Sequence, residues 1–212
     1  NLRIGQQSLL GYLPALVIKN IIDKKVDISN NSFPQHYVFR TVALFADISG
    51  FTKLSEAFAK KGRIGPEFLA FSLNRYMEQL VGIIGKNGGD IFKFAGDALL
   101  VIWPETSNHE LSKSCRRATQ CALDIQAKLH DVEISKNKRL SIKIGIGVGE
   151  VRILVVGGQF SRCEYLSVGE AMAQACDAEG KATCGGQTIC SEGVYKLIKD
   201  NIEAEFIRPD PF

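Results

Sequence analysis

The sequence predicts an α+β domain in which helices pack on a mostly antiparallel sheet. Three observations carry that prediction: a β-branched, apolar run from Val38 to Ala46; a hairpin pattern, Ile91 to Ala95 and Ala98 to Trp103, hinged at Gly96-Asp97; and the order strand, two helices, hairpin, helix, strand, helix. With 212 residues, 45% of them hydrophobic, the chain buries one substantial core and forms a single domain.

Taken in order, Ser8 to Lys25 reads as a helical approach that Pro14 either breaks or starts, and Asp27 to Pro34, rich in Asn and Ser, as a loop. Val38 to Ala46 is apolar on both faces, as suits a central strand covered on two sides, and Asp47 ends it. A helix is expected from Lys53 to Lys60. A second begins near Pro66, whose fixed φ suits a first turn, and runs to Ile84 with Leu69, Leu73, Met77, Leu80 and Ile84 as its core stripe.

In the hairpin, strand alternation places Phe92 and Phe94 on one face and Ile91, Lys93 and Ala95 on the other, with Lys93 near Asp97. A helix from Glu110 to Leu129 leads to the strand Leu140 to Val148. There Ile142, Ile144, Ile146 and Val148 share one face, and Lys143, Gly145, Gly147 and Gly149 share the other, which lets a ligand or a second protein come close. Strands at Arg152 to Val156 and Glu164 to Val168, a helix after Gly169, a strand Thr188 to Cys190 and a helix from Ser191 complete a ferredoxin-like, βαββαβ-type layout with additions. Residues 1–37 form an N-terminal helical and loop extension, and 38–212 the domain.

Composition narrows the function. A net charge of +3 from 26 basic and 23 acidic residues, with no dense basic run, argues against nucleic acid as a partner. The six cysteines, Cys115, Cys121, Cys163, Cys176, Cys184 and Cys190, show no C-x-x-C pair and no zinc-ligand spacing with His, so free thiols in a reducing compartment are expected. The apolar run Leu9 to Ile18 contains Pro14 and is shorter than the ~20 residues a bilayer span needs. No membrane span is expected, and a chain opening on Asn1 reads as an excerpt from a longer protein.

Two stretches carry chemistry: Phe45-Ala46-Asp47-Ile48-Ser49-Gly50-Phe51-Thr52 and Gly88-Gly89-Asp90-Ile91-Phe92-Lys93-Phe94-Ala95-Gly96-Asp97-Ala98-Leu99-Leu100. Each sets an aspartate at the edge of an apolar strand beside a glycine turn, where backbone approaches a phosphate and a carboxylate faces it. Alone, either Asp is read as a turn residue or a cap; the pair reads as a metal–nucleotide site. Lys93 and Lys143 each read either as solvated strand lysines or as residues of the site.

These motifs resemble the two metal-aspartate motifs of class III nucleotidyl cyclases, in order and separation, and the resemblance extends over most of the chain after Val38. Within that family the likeness is to the first catalytic domain of the soluble, bicarbonate-responsive adenylyl cyclases, with Lys143-Ile144-Gly145 included. The resemblance implies conversion of ATP to cyclic AMP and pyrophosphate on two Mg2+ or Mn2+ ions. Asp47 and Asp97 would be ligands, Ile48 would lend its carbonyl, Ser49, Gly50, Phe51 and Thr52 would cradle phosphates, and Lys143 and Arg152 would contact substrate. It also implies a cytoplasmic protein, with the cilium as a family location.

The family site lies between two cyclase domains, and its transition-state half uses an Asn and an Arg on the helix after a V-G or I-G turn. Here that turn is Val168-Gly169, and Ala173 and Asp177 occupy those positions. Neither replaces a guanidinium, so a second, complementary domain is expected, in the same polypeptide or as a heterodimer partner. In the pseudo-symmetric regulatory site Lys93 matches the family lysine, but Leu166 stands where a base acceptor belongs. Cys176 stands where an Arg would hold bicarbonate, which counts against bicarbonate as an activator. Glu150 stands where many members have Arg. Three other readings stay open: a guanylate cyclase half, a non-catalytic regulatory cyclase-homology domain, and a diguanylate-cyclase-like domain on Gly88-Gly89-Asp90. The last is disfavoured because Ile91 is not acidic.

Overall fold

The longest strand pairing sets the frame. In a computed structural model that describes residues 14–23, 33–60, 62, 64–106, 110–157 and 163–205, β1 (Gln35–Ser49) runs antiparallel to β5 (Lys138–Gly157), from Gln35 opposite Val155 to Ser49 opposite Ser141. On the other side of β1 lies β3 (Ala98–Pro104), and beyond it β2 (Asp90–Ala95). The far side of β5 is shared by β4 (Val132–Ser135), β6 (Cys163–Gly169) and β7 (Thr188–Cys190). Among the described strands only β7 pairs in parallel, so the sheet is antiparallel almost throughout, as expected.

Helices cover both faces because residues alternate along β1 and β5. Val42, Leu44, Ala46 and Ile48, with Ile142, Ile144 and Ile146, pack under α2 (Phe51–Ala59), α3 (Ile64–Lys86), α4 (Leu111–Leu129) and α6 (Glu192–Ile198). Ala43, Val151 and Ile153 face the other way, against Val17 of α1 (Ala15–Ile22) and Ala171, Met172 and Ala175 of α5 (Glu170–Gly180). Pro14 caps α1 at its start, and the Asp90 carboxylate accepts hydrogen bonds from the Ala15 and Leu16 amides at 3.0 and 2.9 Å, tying the helix to the sheet. Asp90, the acidic residue of the Gly-Gly-Asp stretch, thus has a capping role.

Several expectations need correction. The strands expected at Leu140–Val148 and Arg152–Val156 are one strand, because β1 begins at Gln35 and offers a partner to every residue between them, Gly149 and Glu150 included. The β4 strand was not expected; it is short and returns through Asn137 at φ 60°. α2 and α3 each begin two residues early, so Pro66 sits inside a first turn, where its missing N–H costs nothing. The parts of the Ser8–Lys25 helix and the Asp27–Pro34 loop that fall on residues 8–13 and 24–32 lie outside the described residues.

The hairpin alternation fails at a bulge. Ile91 pairs with Val101 but Lys93 pairs with Leu100, leaving Phe92 as an extra residue. Phe92 is therefore buried on the α5 face, stacked edge-on against Tyr165, and Lys93 shares that face. Phe94 turns to the opposite face beside Leu99 and is half-exposed.

Among the described residues no helix is long and apolar enough to cross a membrane. Cys115, Cys121, Cys176, Cys184 and Cys190 are free thiols. Burial pushes the Cys115 and Cys121 thiols up to about 12. Brief alkylation of the native chain at pH 8, read by peptide mass spectrometry, is expected to label exposed Cys176 and Cys184 well before Cys115 and Cys121. Equal labelling would contradict the helix packing described.

Candidate active site

Asp47 is the last residue of β1 that pairs with β3, two residues before the strand ends at Ser49. Its neighbours Ala46 and Ile48 are buried under α2–α4, so alternation turns its carboxylate to the α5 face, where it stays partly open. Across β3 it is opposite Ala98, the residue after Asp97; across β5 it is opposite Lys143. Gly96, at φ 66°, makes the turn that presents Asp97 to solvent. Two aspartates 50 residues apart in sequence thus meet at one end of the central β1–β3 pairing.

Electrostatics mark the meeting point. The Asp47 carboxyl is held above the usual carboxylate range, first by desolvation, then by the negative charges of Glu179 and Asp97, with Lys143 opposing. Lys143 Nζ lies 3.9 Å from Asp47 Oδ2 and 2.6 Å from Glu179 Oε1, and the close Glu179 carboxylate is the main reason its ammonium is held more firmly charged than usual. Asp47 thus has two acidic groups, Glu179 and Asp97, acting on it against one lysine, and the excess negative charge suits a cation. The donors are hard carboxylate oxygens, as Mg2+ or Mn2+ prefers. Among the described residues no three His, Cys, Asp or Glu side chains form a ready-made metal cage, so any ion here must draw further ligands from backbone, water or substrate.

After Ser49 the chain turns through Gly50, at φ 98°, directly into α2. A side chain on Gly50 would crowd the Arg139 carbonyl oxygen at 2.8 Å. The amides of Phe51 and Thr52 open the helix with no capping side chain, which leaves donors free beside the aspartates. Ile48, Phe51, Leu73, Met77, Phe94 and Leu99, together with Gly96, Asp97 and Ala98 of the hairpin turn, line a cavity of about 180 Å³. Its walls are mostly apolar, and Asp97 is the charged residue among them.

The remaining expected residues lie elsewhere. Arg152 is nine residues beyond Lys143 on the same strand, about 30 Å at ~3.3 Å per residue, and flanks Val38 and Val168 instead. Lys93 and Leu166 are exposed on β2 and β6. Ala173, Cys176 and Asp177 are exposed on α5, and Asp177 pairs with Lys181 at 2.7 Å.

The glycine-lined face of β5 receives α5 of the same chain, not a ligand. Side chains on Gly145 and Gly147 would strike the α5 backbone at Ala171, Ala175 and Glu179. That contact brings in Glu179, the site residue that sequence reasoning missed. Its only sequence signal was the spacing of the glycines, which announced a close approach without naming what approached.

The description "Adenylate and Guanylate cyclase catalytic domain" fits residues 35–209. Adenylate cyclase type 10 of Rattus norvegicus is 31% identical over 193 residues, covering 84% of this chain and 12% of that protein; its Oryctolagus cuniculus counterpart is 35% identical over 175 residues, covering 81% and 11%. The chain thus spans about an eighth of the length of these relatives. Among solved structures, the adenylyl cyclase CyaB from P. aeruginosa superposes with a TM-score of 0.66 at 27% identity, over 80% of this chain and 85% of that one. The guanylyl cyclase Cya2 gives 0.63 at 25%, over 84% and 88%. With the two motif aspartates side by side on this sheet, the chain belongs to the adenylate and guanylate cyclase catalytic domain family.

Proposed function

We propose that this chain is the metal-bearing half of an adenylate cyclase of the soluble type, converting ATP to cyclic AMP and pyrophosphate with a second, complementary cyclase domain. The observation that carries the reading is the juxtaposition of Asp47 and Asp97 across the β1–β3 pairing, in excess negative charge. In the reaction the ribose 3′-oxygen bonds to the α-phosphorus, the bond to the pyrophosphate oxygen breaks, and the hydroxyl proton leaves. Two Mg2+ or Mn2+ ions held by Asp47, Asp97 and the Ile48 carbonyl would supply the Lewis acidity that eases deprotonation and neutralises the triphosphate. The amides of Gly50, Phe51 and Thr52, with the Ser49 and Thr52 hydroxyls, orient the terminal phosphates, and Lys143 donates to a phosphate oxygen.

What the chain lacks supports a partner. Ala173 and Asp177 are exposed at positions where the transition-state Asn and Arg are expected, and Asp177 is occupied by Lys181. Val38, Leu166 and Val168, on β1 and β6 either side of β5, present exposed apolar surface of the kind a partner domain covers. Arg152, between Val38 and Val168, belongs to that surface and contacts substrate or partner from there. Lys93, Leu166 and Cys176 are residues of a second, degenerate site that takes no nucleotide, and Cys176 offers bicarbonate no cation.

The purified chain with Mn2+ and ATP is expected to make no cyclic AMP, and a cyclase domain that supplies the Asn and Arg is expected to restore turnover when added. Turnover by the chain alone would overturn the half-site reading. Preference for GTP in the restored pair would favour the guanylate reading, and metal-dependent nucleotide binding without turnover the regulatory one.

A further inference from the structure

The Lys143 ammonium has two carboxylates in reach and takes the one outside both motifs. Its Nζ is 2.6 Å from Glu179 Oε1 and 3.9 Å from Asp47 Oδ2. The Glu179 and Lys143 side chains are 12% and 23% exposed, so solvent and salt screen the pair weakly. Backbone packing fixes where Glu179 arrives. The last turn of α5 rests on Gly145, where a Cβ would meet the Glu179 amide nitrogen and its Cβ, and Lys143 is two residues earlier on the same face of β5.

We propose that Glu179 is a positioning residue that holds Lys143 off Asp47 and so keeps the Asp47 carboxylate open to a divalent cation. This deepens the reading above and rests on Asp47 being a metal ligand. At 3.9 Å the ammonium makes no direct hydrogen bond to Asp47, whereas a charge-assisted one at about 2.8 Å would occupy a carboxylate oxygen that a cation needs. An ammonium has three donors on a flexible stem, so without Glu179 it swings to the nearest remaining carboxylate, which is Asp47. The cation must then displace it. With Glu179 in place, Lys143 stays within reach of a phosphate while Asp47 stays free.

The test uses the whole chain with Mn2+ alone as probe, binding read by electron paramagnetic resonance. Glu179→Gln keeps the shape and removes the charge, and is expected to weaken Mn2+ binding roughly five- to twentyfold, whereas Glu179→Gln in a Lys143→Met background is expected to have little further effect. Wild-type binding by the single variant overturns the proposal. So does a loss that persists undiminished without Lys143, since Glu179 would then act on the cation directly. Asp47→Asn separates the two readings: if it binds Mn2+ as the wild type does, the metal-ligand assignment fails, independently of what Glu179 does. A second readout needs no metal. The Lys143 ammonium resonance, by proton–nitrogen correlation, is expected to move in Glu179→Gln and to stay nearly fixed in Asp47→Asn; the reverse pattern overturns the proposal.

Discussion

Asp47→Ala and Asp97→Ala, each introduced into the chain joined to its complementary domain, are expected to lower cyclase turnover by roughly 10²–10³-fold or more, the scale of losing a charge-stabilising contact in a transition state. The chain should stay folded in both. Asp97 is exposed on a turn, and the Asp47 backbone pairs with β3 and β5 whatever the side chain. Stability should if anything rise for Asp47→Ala. A carboxyl held above its unfolded value binds its proton more tightly in the native state, so as pH rises through that range the folded form is the one penalised. At pH 7 the ionised Asp47 faces Glu179 and Asp97 with only Lys143 in compensation, and removing it relieves that repulsion. The checks are a cyclic AMP assay and a thermal melt at pH 7 on the same samples. Retained activity would end the metal-ligand assignment; a large drop in Tm would make the loss of activity a folding effect.

How much of this was legible before the structure depends on how local each signal is. Asp47 and Asp97 were legible because each sits at a strand edge beside a glycine turn, and such turns leave marks within a few residues. The core face of β5 was legible for the same reason: Ile142, Ile144 and Ile146 alternate strictly and all are buried. Register was not. That Gly149 and Glu150 continue a strand depends on β1 starting early enough to pair with them, a fact stored about 110 residues upstream. The bulge at Phe92 likewise needs β3 to reveal it, and it reversed the face assigned to Lys93 relative to Phe92. Glu179 was invisible because nothing in its own helix distinguishes it; its role comes from the strand beneath.

That dependence makes Gly145→Ala the most severe single-methyl change expected among the described glycines. A Cβ at this position collides with the Ala175 carbonyl oxygen and the Glu179 amide nitrogen, which are backbone atoms of a helix and cannot rotate aside as a flexible side chain would. α5 must therefore lift from β5, opening the packing of Ala171, Met172 and Ala175 against Val151 and Ile153. A loss at or above the upper end of the ~1–3 kcal/mol typical of overpacking is expected, or a fall in Tm of roughly 6–12 °C for a chain of this size. Gly82→Ala is the matched control: it lies exposed in α3, a Cβ there meets nothing within 4 Å, and exchange in a helix interior should stabilise by about 0.5–1 kcal/mol. If Gly145→Ala melted like Gly82→Ala, α5 would not be seated where the structure places it. The variant reports on chemistry as well as packing. Lifting α5 withdraws Glu179 from Lys143, so whatever Gly145→Ala chain remains folded below its Tm should bind Mn2+ as weakly as Glu179→Gln does. Weakened binding in both variants would trace the openness of the Asp47 carboxylate to a missing methyl group two residues past the lysine, on a strand whose glycines exist to let a helix come close.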